Sequence, residues 1–245
     1  MRVVLVGATG GIGRALARRL AARGDRLFLL GRDATSLARS ALDLEAHGAP
    51  PPVGVGACDL LEPAGFGPAL DRAVAALGGL DAVVVTAGAF GTQEVLEQDA
   101  ALRARVLAAN FAGTIELCEA ARLRLLAAGG GTLCVFSSVA GDRARRRVVL
   151  YGATKAGLSY YLAGLDARFR RAGLRTVCVK PGFVRTAMTA GLPEPPFAAD
   201  ADAVAARALR AIDRGWPVVH APAVWRLVLL AIRALPRAAL RRLEL

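Results

Sequence analysis

Short apolar runs alternate along the chain with longer segments in which apolar residues recur every three or four positions. The short runs predict six β-strands, at residues 2–6, 27–30, 53–57, 80–85, 132–136 and 176–180. The longer segments predict helices at 35–47, 68–77 and 97–128 and two more that begin at Arg14 and near Tyr151. Because asparagine is unfavourable inside a helix, we expect an interruption at Asn110.

This alternation of strands and helices is typical of an α/β protein. Each connection is long enough for a crossover, so we predict a single-domain Rossmann fold, a doubly wound parallel sheet flanked by helices. The length of 245 residues, of which 55% are hydrophobic, suits one core of this kind. The predicted domain covers residues 1–223, with a lid at about 185–215, and residues 224–245 form a C-terminal amphipathic helix.

A glycine turn follows the first predicted strand and leads into a helix. Gly7, Gly11 and Gly13 give the spacing GxxxGxG. Glycines let the backbone approach a pyrophosphate, and the helix N-terminus adds a favourable dipole. The turn therefore indicates a dinucleotide site at the carboxyl ends of the strands, and a glycine turn made only for tight packing is the alternative.

Arg32 ends the second predicted strand, about twenty residues beyond the glycine turn. A site selective for NAD usually carries Asp or Glu there to bind the ribose 2′-hydroxyl, and Asp33 comes late. A planar guanidinium instead suits a 2′-phosphate. Arg32 therefore favours NADP(H), with NAD(H) as the close alternative. An arginine that is merely solvated in a loop, with no role in cofactor binding, is the alternative interpretation of this residue.

The stretch from Ser137 to Lys155 carries the candidate chemistry. Tyr151 follows Ser138 by thirteen residues and Lys155 follows Tyr151 by four, which places the phenol and the ammonium on one helical face. A nearby cation favours the phenolate and lowers the pKa of a tyrosine from its usual value of about 10. Ser138 would then hold the oxygen that gains or loses a proton. Two unrelated neighbours on a helix surface are the alternative.

Further motifs complete the pattern at the strand ends, namely Asp59, Ala87-Gly88, Asn110, YGATK at 151–155 and PGFVRT at 181–186. With the glycine turn and Ser138, they resemble the short-chain dehydrogenase/reductase family over nearly the whole chain. The resemblance implies an NAD(P)-dependent oxidoreductase in which Tyr151 is the acid and Lys155 is the pKa modifier and ribose ligand. It also implies that Ser138 orients the carbonyl and that Asn110 holds a relay water.

The same resemblance implies a larger set of cofactor-binding residues. They are Gly7, Thr9, Gly10, Gly11, Ile12, Gly13, Arg32, Asp59, Leu60, Ala87, Gly88, Asn110, Tyr151, Lys155, Pro181, Gly182, Val184 and Thr186. Two positions depart from the family pattern, Val6 in place of threonine and Thr86 in place of asparagine. Neither belongs to the catalytic set, so we expect activity to be retained.

The second half has a narrower resemblance, to the reductase components of decaprenylphosphoryl-β-D-ribose 2′-epimerases. It rests on SSVAGDRARRRVVLYGATKAGL, PGFVRTAMTAGLPEPP and APAVWRLVLLAIRALPRAALRRL. It implies reduction of the 2-keto group of a polyprenylphosphoryl pentofuranose to the arabinose epimer for cell-wall arabinan, with a flavin oxidase as partner. Such reductases usually use NADH, which conflicts with Arg32. The alternative substrate is another lipid or small ketone, of the 3-oxoacyl or ketosphinganine type.

An arginine run lies between the candidate serine and tyrosine, and it consists of Arg143, Arg145, Arg146 and Arg147. Its position predicts that it lies near the substrate entrance, where guanidinium groups could bind a phosphate-linked headgroup. A solvated loop is the alternative.

The C-terminal segment is strongly apolar, and Arg226, Arg233, Arg237 and Arg241 recur on one face of the predicted helix. Its longest uncharged run, 227–232, is far shorter than the roughly 20 residues that span a bilayer. A basic amphipathic helix suits the surface of an anionic membrane. Docking against the protein's own core or in a dimer interface is the alternative.

The formal charge of +12 comes almost entirely from arginine, and no recognition motif accompanies it, so no nucleic-acid binding is predicted. The four cysteines lack CxxC spacing and predict buried thiols rather than a metal site or disulfides.

The chain opens on a strand without a signal-peptide pattern, which predicts a cytoplasmic protein, peripheral at the inner face of the plasma membrane if the C-terminal helix binds lipid. Family analogy implies a homo-oligomer. A non-catalytic dinucleotide sensor is the remote alternative, disfavoured because all four catalytic positions are filled.

Overall fold

The structure is a computed structural model, and it describes residues 1–234. Its strands are β1 (Arg2–Val6), β2 (Arg26–Gly31), β3 (Gly54–Ala57), β4 (Ala82–Val85), β5 (Gly131–Phe136), β6 (Leu174–Pro181), β7 (Val184–Arg185), β8 (Ala199–Asp200) and β9 (Val218–Ala221). Seven of these pair in parallel in the order β3-β2-β1-β4-β5-β6-β9, and β7 and β8 form a separate parallel pair. The sheet order reverses direction on either side of β1, as in a doubly wound fold.

Helices connect the strands. They are α1 (Gly11–Ala22), α2 (Ala34–Ala46), α3 (Phe66–Leu77), α4 (Gln93–Gln98), α5 (Ala100–Leu107), α6 (Thr114–Ala127), α7 (Val149–Phe169), α8 (Ala201–Arg214) and α9 (Val224–Ala234). A π-helical segment, Ala108–Gly113, joins α5 to α6, at the place where the sequence predicts an interruption. Short 3₁₀ turns occur at Val139–Gly141, before the arginine run, and at Arg146–Val148, which includes the last two arginines of the run.

Two hydrophobic cores lie on opposite faces of the sheet, because alternate strand residues point to opposite sides. Val3 and Leu5 of β1 pack with α1, α2 and α8 on one face. Val4 and Val6 pack with α3, α6 and α7 on the other. The predicted α/β Rossmann fold with helices on both faces is therefore confirmed, and the four cysteines are buried free thiols as predicted.

The region after β6 differs from the sequence prediction. A seventh strand, β9, extends the sheet beside β6, with Val219 opposite Val179. It was missed because only two of its four residues are apolar and β-branched. Helix α8 lies inside the predicted lid range of 185–215, but Val204 and Ile212 belong to the core that it forms with α1. The lid itself stays a prediction for residues 185–200, where Arg185 is paired with Glu194 and Asp200.

Helix α9 begins at Val224, as predicted for the C-terminal helix. Leu229 is buried, whereas Leu227 is 68% and Leu230 57% exposed. Arg237 and Arg241 lie outside the described residues, as does the side chain of Arg233. Within residues 1–234, none of the helices combines the length and the apolar character needed to cross a membrane.

Candidate active site

The glycine turn is built by close backbone contact at the end of β1. Gly7 has a left-handed backbone, with φ +93°, and a Cβ atom on Gly13 would lie only 2.0 Å from the Gly7 carbonyl oxygen. Thr86 Oγ1 donates to the carbonyl oxygens of Val6 and Gly7, both at 3.0 Å. The threonine that departs from the family pattern therefore ties the end of β4 to the turn.

The N-terminus of α1 opens next to this turn. Gly10 provides no side-chain cap, so the first backbone N–H groups of the helix are free to meet an anion. Thr186 packs on Gly11, where an added Cβ would lie 3.0 Å from the threonine methyl group. The Arg14 guanidinium donates to the Thr9 carbonyl oxygen at 2.6 Å. Bare backbone, an uncapped helix end and a cation fit the pyrophosphate of a dinucleotide.

The end of β2 lies beside the end of β3, since the Cys58 backbone N–H donates to the Gly31 carbonyl oxygen at 2.9 Å. Arg32 is exposed there. The Asp33 carboxylate instead caps α2 by accepting from the Ser36 backbone N–H at 2.5 Å. Asp59 accepts from the Leu61 backbone N–H at 3.0 Å.

Asn110 is fully buried in the π-helical segment. Its side-chain amide donates to the Ala89 carbonyl oxygen and its Oδ1 accepts from the Ala89 N–H, both at 2.7 Å. A Cβ atom on Gly88 would lie 3.0 Å from Asn110 Oδ1 and 3.7 Å from Lys155 Nζ, so these three predicted site residues do converge. Asn110 thus fixes the strand-end segment at 87–90, and its predicted relay water stays a prediction.

The 3₁₀ turn after Ser138 lies flat against the first turns of α7. A Cβ atom on Gly141 would lie 2.6 Å from the Ala156 backbone nitrogen, and one on Gly152 would lie 2.8 Å from the Ala140 carbonyl oxygen. Real Cβ atoms do not approach backbone so closely, so both positions require glycine. This contact sets the position of Ser138 relative to Tyr151.

Ser138 joins three parts of the site. Its Oγ accepts from the Ala140 backbone N–H at 3.1 Å and donates to the Pro181 carbonyl oxygen at 3.4 Å. It also lies close enough to Tyr151 to lower the pKa of the phenol. The Tyr151 ring meets the edge of Phe90, with ring centroids 5.1 Å apart. Serine, phenol and the end of β6 are therefore brought together as predicted.

Lys155 is buried and held from both ends. Its Nζ donates to the Phe136 carbonyl oxygen at 3.0 Å and lies 5.7 Å from the centroid of the Tyr151 ring. Its own carbonyl oxygen accepts from the hydroxyls of Ser137 and Ser159, both at 2.8 Å. These contacts join α7 to the end of β5 and fix the position of the Lys155 ammonium in the site.

Burial dominates the titration of both groups. It raises the pKa of Tyr151 to about 12, and the nearby Ser138 hydroxyl offsets only part of this effect. It lowers the pKa of Lys155 to about 8. The expectation of a lowered tyrosine pKa is therefore wrong for this structure, because the Lys155 ammonium is directed at a backbone carbonyl and desolvation outweighs its charge. At neutral pH the phenol carries its proton and can act as an acid.

The arginine run divides into two kinds of environment. Arg146 and Arg147 are exposed, whereas Arg143 and Arg145 are partly buried. Burial lowers the pKa of Arg145. No residue that the structure describes offers Arg145 a carboxylate or a hydrogen-bond acceptor.

Asp142, at the start of this loop, is paired. It accepts from Lys180 Nζ at 2.5 Å and lies 3.1 Å from His220 Nε2. Burial alone would raise the pKa of Asp142, but the contacts with His220 and Lys180 hold it below its usual value. These two contacts anchor the loop to β6 and β9, and the sequence carries no signal for them because His220 lies on β9, which the pattern does not predict.

The structure also brings Trp225 to the candidate site, a residue that the sequence analysis includes only in the C-terminal helix. Trp225 of α9 lies against Gly182, where a Cβ atom would be 2.1 Å from the indole Nε1. The start of the C-terminal helix therefore contacts the domain at the end of β6, as in the docked alternative. The one available signal was the glycine in PGFVRT, which allows such an approach.

Comparisons with known proteins identify the family of the chain. Residues 1–196 match the family model described as short chain dehydrogenase. An uncharacterized oxidoreductase of Mycobacterium tuberculosis is 37% identical over 241 residues, which cover 98% of this chain and 96% of that protein. A Streptomyces violaceoruber protein named a ketoacyl reductase of granaticin polyketide synthase is 33% identical over 191 residues, covering 76% and 68%.

A solved structure shows the same fold. The short chain dehydrogenase of Mycobacterium paratuberculosis bound to NAD has a TM-score of 0.76 at 23% identity, over 86% of this chain and 89% of that one. The fold and the strand-end site define a dinucleotide-binding oxidoreductase. The chain belongs to the short-chain dehydrogenase/reductase family, and it is an NAD(P)-dependent oxidoreductase.

Proposed function

We propose that the protein is a ketoreductase, and the observation that carries this is the convergence of Ser138, Tyr151 and Lys155. A bound nicotinamide would supply the hydride. Tyr151, which is protonated at neutral pH, donates the proton to the substrate oxygen, and Ser138 holds that oxygen beside it. The Lys155 ammonium stabilises the phenolate that remains.

Tyr151→Phe tests this reaction. The variant keeps the ring and its contact with Phe90 but loses the acid, so turnover should fall by roughly 10²–10⁴-fold, the usual contribution of general acid catalysis. Binding of NADPH or NADH, measured by quenching of protein fluorescence, should change little. Turnover that stays at the wild-type level would exclude the mechanism, and loss of cofactor binding would show that the substitution damaged the site.

For the cofactor we propose NADP(H), with NAD(H) as the close alternative. The exposure of Arg32 supports this choice, whereas Asp33 is engaged as a helix cap and is a poor ligand for a 2′-hydroxyl. The NAD-bound Mycobacterium paratuberculosis structure supports the alternative. Arg32→Ala should weaken NADPH binding about tenfold and leave NADH binding unchanged. Equal binding of the two cofactors by the wild type would contradict the assignment.

For the substrate we propose a lipid-linked ketone that carries a phosphate, specifically a 2-keto polyprenylphosphoryl pentofuranose reduced to its arabinose epimer. The resemblance to epimerase reductase components suggests this compound, for cell-wall arabinan synthesis after a flavin oxidase. Arg145 supports the phosphate, because it is partly buried and has no carboxylate partner among residues 1–234, and such a guanidinium is suited to bind an anion. Oxidation of NADPH and NADH with this lipid is the direct assay.

We also propose that the protein, as a homo-oligomer in the cytoplasm, meets the membrane surface through residues 224–245. The exposed Leu227 and Leu230 support this, since each would gain by entering the interfacial region of a bilayer. Flotation with anionic liposomes should recover the full-length chain and not a chain that ends at Ala223. Equal recovery of the two chains would contradict membrane binding through residues 224–245.

A further inference from the structure

Trp225 has the one buried side-chain polar atom without a hydrogen-bond partner in the part of the chain that the structure describes. Leaving a buried N–H group unbonded is costly, and native proteins rarely do so without a reason. The alternative role for this ring, a purely apolar contact, would be filled as well by phenylalanine. The indole nitrogen therefore needs an explanation.

The position of this nitrogen suggests one. It lies against Gly182, whose neighbour Pro181 accepts the hydrogen bond from Ser138 Oγ at 3.4 Å. The unbonded N–H is thus next to the backbone that positions the catalytic serine. Gly182 itself is held in the sheet, since its backbone N–H donates to the Ala221 carbonyl oxygen at 3.0 Å.

The other side of the indole faces the lid. The ring of Phe197 meets Trp225 edge to face, with centroids 6.2 Å apart. Phe197 is half exposed and is the one non-glycine residue with positive φ, +64°, among those described. A bulky residue is strained in that conformation. Phe197 is therefore a strained and half-exposed residue that contacts the indole ring.

We infer that Trp225 is a specificity-determining residue, and that its indole N–H donates to a second oxygen of the substrate, next to the reacting carbonyl. The inference rests on the proposed ketone reduction and narrows its substrates to oxygenated ketones, such as hydroxyketones and ketosugars. The cofactor is the competing acceptor, because Gly182 belongs to the cofactor-binding set that the family resemblance implies. Cofactor binding by the Trp225 variant decides between the two.

The chain has two tryptophans, which permits a matched test. Trp225→Phe removes the N–H and keeps a ring, and Trp216→Phe is the control, since Trp216 is 36% exposed and lies against Arg214. Each variant is assayed with 2-hydroxycyclopentanone and with cyclopentanone. We expect Trp225→Phe to lower kcat/KM for the hydroxyketone about fivefold to tenfold and to leave cyclopentanone unchanged, as one hydrogen bond predicts.

Other outcomes would overturn the inference. An equal loss for both ketones would show that the ring acts only by packing, and weaker NADPH binding by Trp225→Phe would assign the N–H to the cofactor. A variant that is more stable to heat and kinetically unchanged would show that the unbonded N–H has no ligand.

A fluorescence measurement separates this inference from the proposed reaction. In the Trp216→Phe protein Trp225 is the one indole left, so 2-hydroxycyclopentanone should shift its emission even where turnover is slow. An unchanged emission at saturating hydroxyketone contradicts the role of Trp225. If the wild type reduces neither ketone but the emission shifts, the proposed reaction fails and the binding role stands.

Discussion

The candidate active site has two sides, called here its two walls, and they are built differently. On one wall, the turn after Ser138 and the first turns of α7 touch backbone to backbone, with glycines at 141 and 152 where no Cβ would fit. On the other wall, the arginine run and the lid are joined to the fold mainly by ion pairs at Asp142 and Arg185 and by the contact between Phe197 and Trp225.

The difference separates chemistry from recognition. Proton transfer needs atoms held within a fraction of an ångström, and close-packed backbone provides that rigidity. Substrate binding tolerates side chains on loops, which can change without disturbing the sheet. We therefore expect substitutions on the first wall to abolish the reaction for every ketone, and substitutions on the second to change which ketone is preferred.

The largest effect is expected from Gly152→Ala. The added methyl group would meet the Ala140 carbonyl oxygen and push the serine turn away from Tyr151. Overpacking of this kind costs about 1–3 kcal/mol of stability. Displacement of the serine by even about 1 Å should lower kcat roughly 10²-fold for all substrates. Thermal unfolding and steady-state kinetics of the variant measure the two effects.

Gly164 gives a control on the same helix. A Cβ atom there meets nothing within 4 Å, so Gly164→Ala should raise stability by about 0.5–1 kcal/mol through helix propensity alone. Its kinetics should match the wild type. If both substitutions had the same effect, the contact between the serine turn and α7 would not be the cause.

The pH dependence of reduction tests the buried pair on the same wall. Because the pKa of Lys155 is lowered to about 8, its stabilising charge is present below that pH and is lost as pH rises through it. The Tyr151 phenol, with its pKa raised to about 12, keeps its proton over the same range. Initial rates should therefore be level from pH 6 to about 7.5 and fall up to about tenfold per unit above pH 8.5.

A substitution at Lys155 tests whether this residue causes the fall of the rate at high pH. Lys155→Arg keeps a positive charge to much higher pH, so any activity it retains should lose the decline near pH 8. Wild-type rates that stay level to pH 10 would contradict a loss of the Lys155 charge near pH 8 that limits the reaction.

The first wall is also the part of the site that the sequence predicts well. The spacing of Tyr151 and Lys155 places them on one helical face, and the structure brings Ser138 and Gly88 to them as the strand-end rule requires. Local spacing and sheet topology are enough for this, because both are set by backbone geometry. The pKa values could not be predicted in the same way, since they depend on burial that only the packed structure reveals.

The second wall shows where sequence reasoning ends. His220 gives no periodic signal, yet its side chain contacts Asp142. The two residues are 78 positions apart in the sequence, and His220 lies on the edge strand β9. Trp225 belongs to an apolar helix, and its contact with Gly182 depends on how that helix returns to the domain. The four arginines of the run look alike in the sequence, and tertiary packing alone distinguishes Arg145 from Arg146.

That distinction gives the smallest and most selective prediction. Arg145→Ala should raise KM for dihydroxyacetone phosphate about tenfold and leave KM for dihydroxyacetone unchanged, since the loss of a charge-assisted hydrogen bond affects only the anion. Arg146→Ala, which removes an exposed guanidinium from the same loop, should change both values less than twofold. Equal effects of the two variants would mean that the run acts as a diffuse positive surface. In that case 0.5 M salt would abolish the preference for the phosphate, whereas a partly buried Arg145 contact should retain most of it.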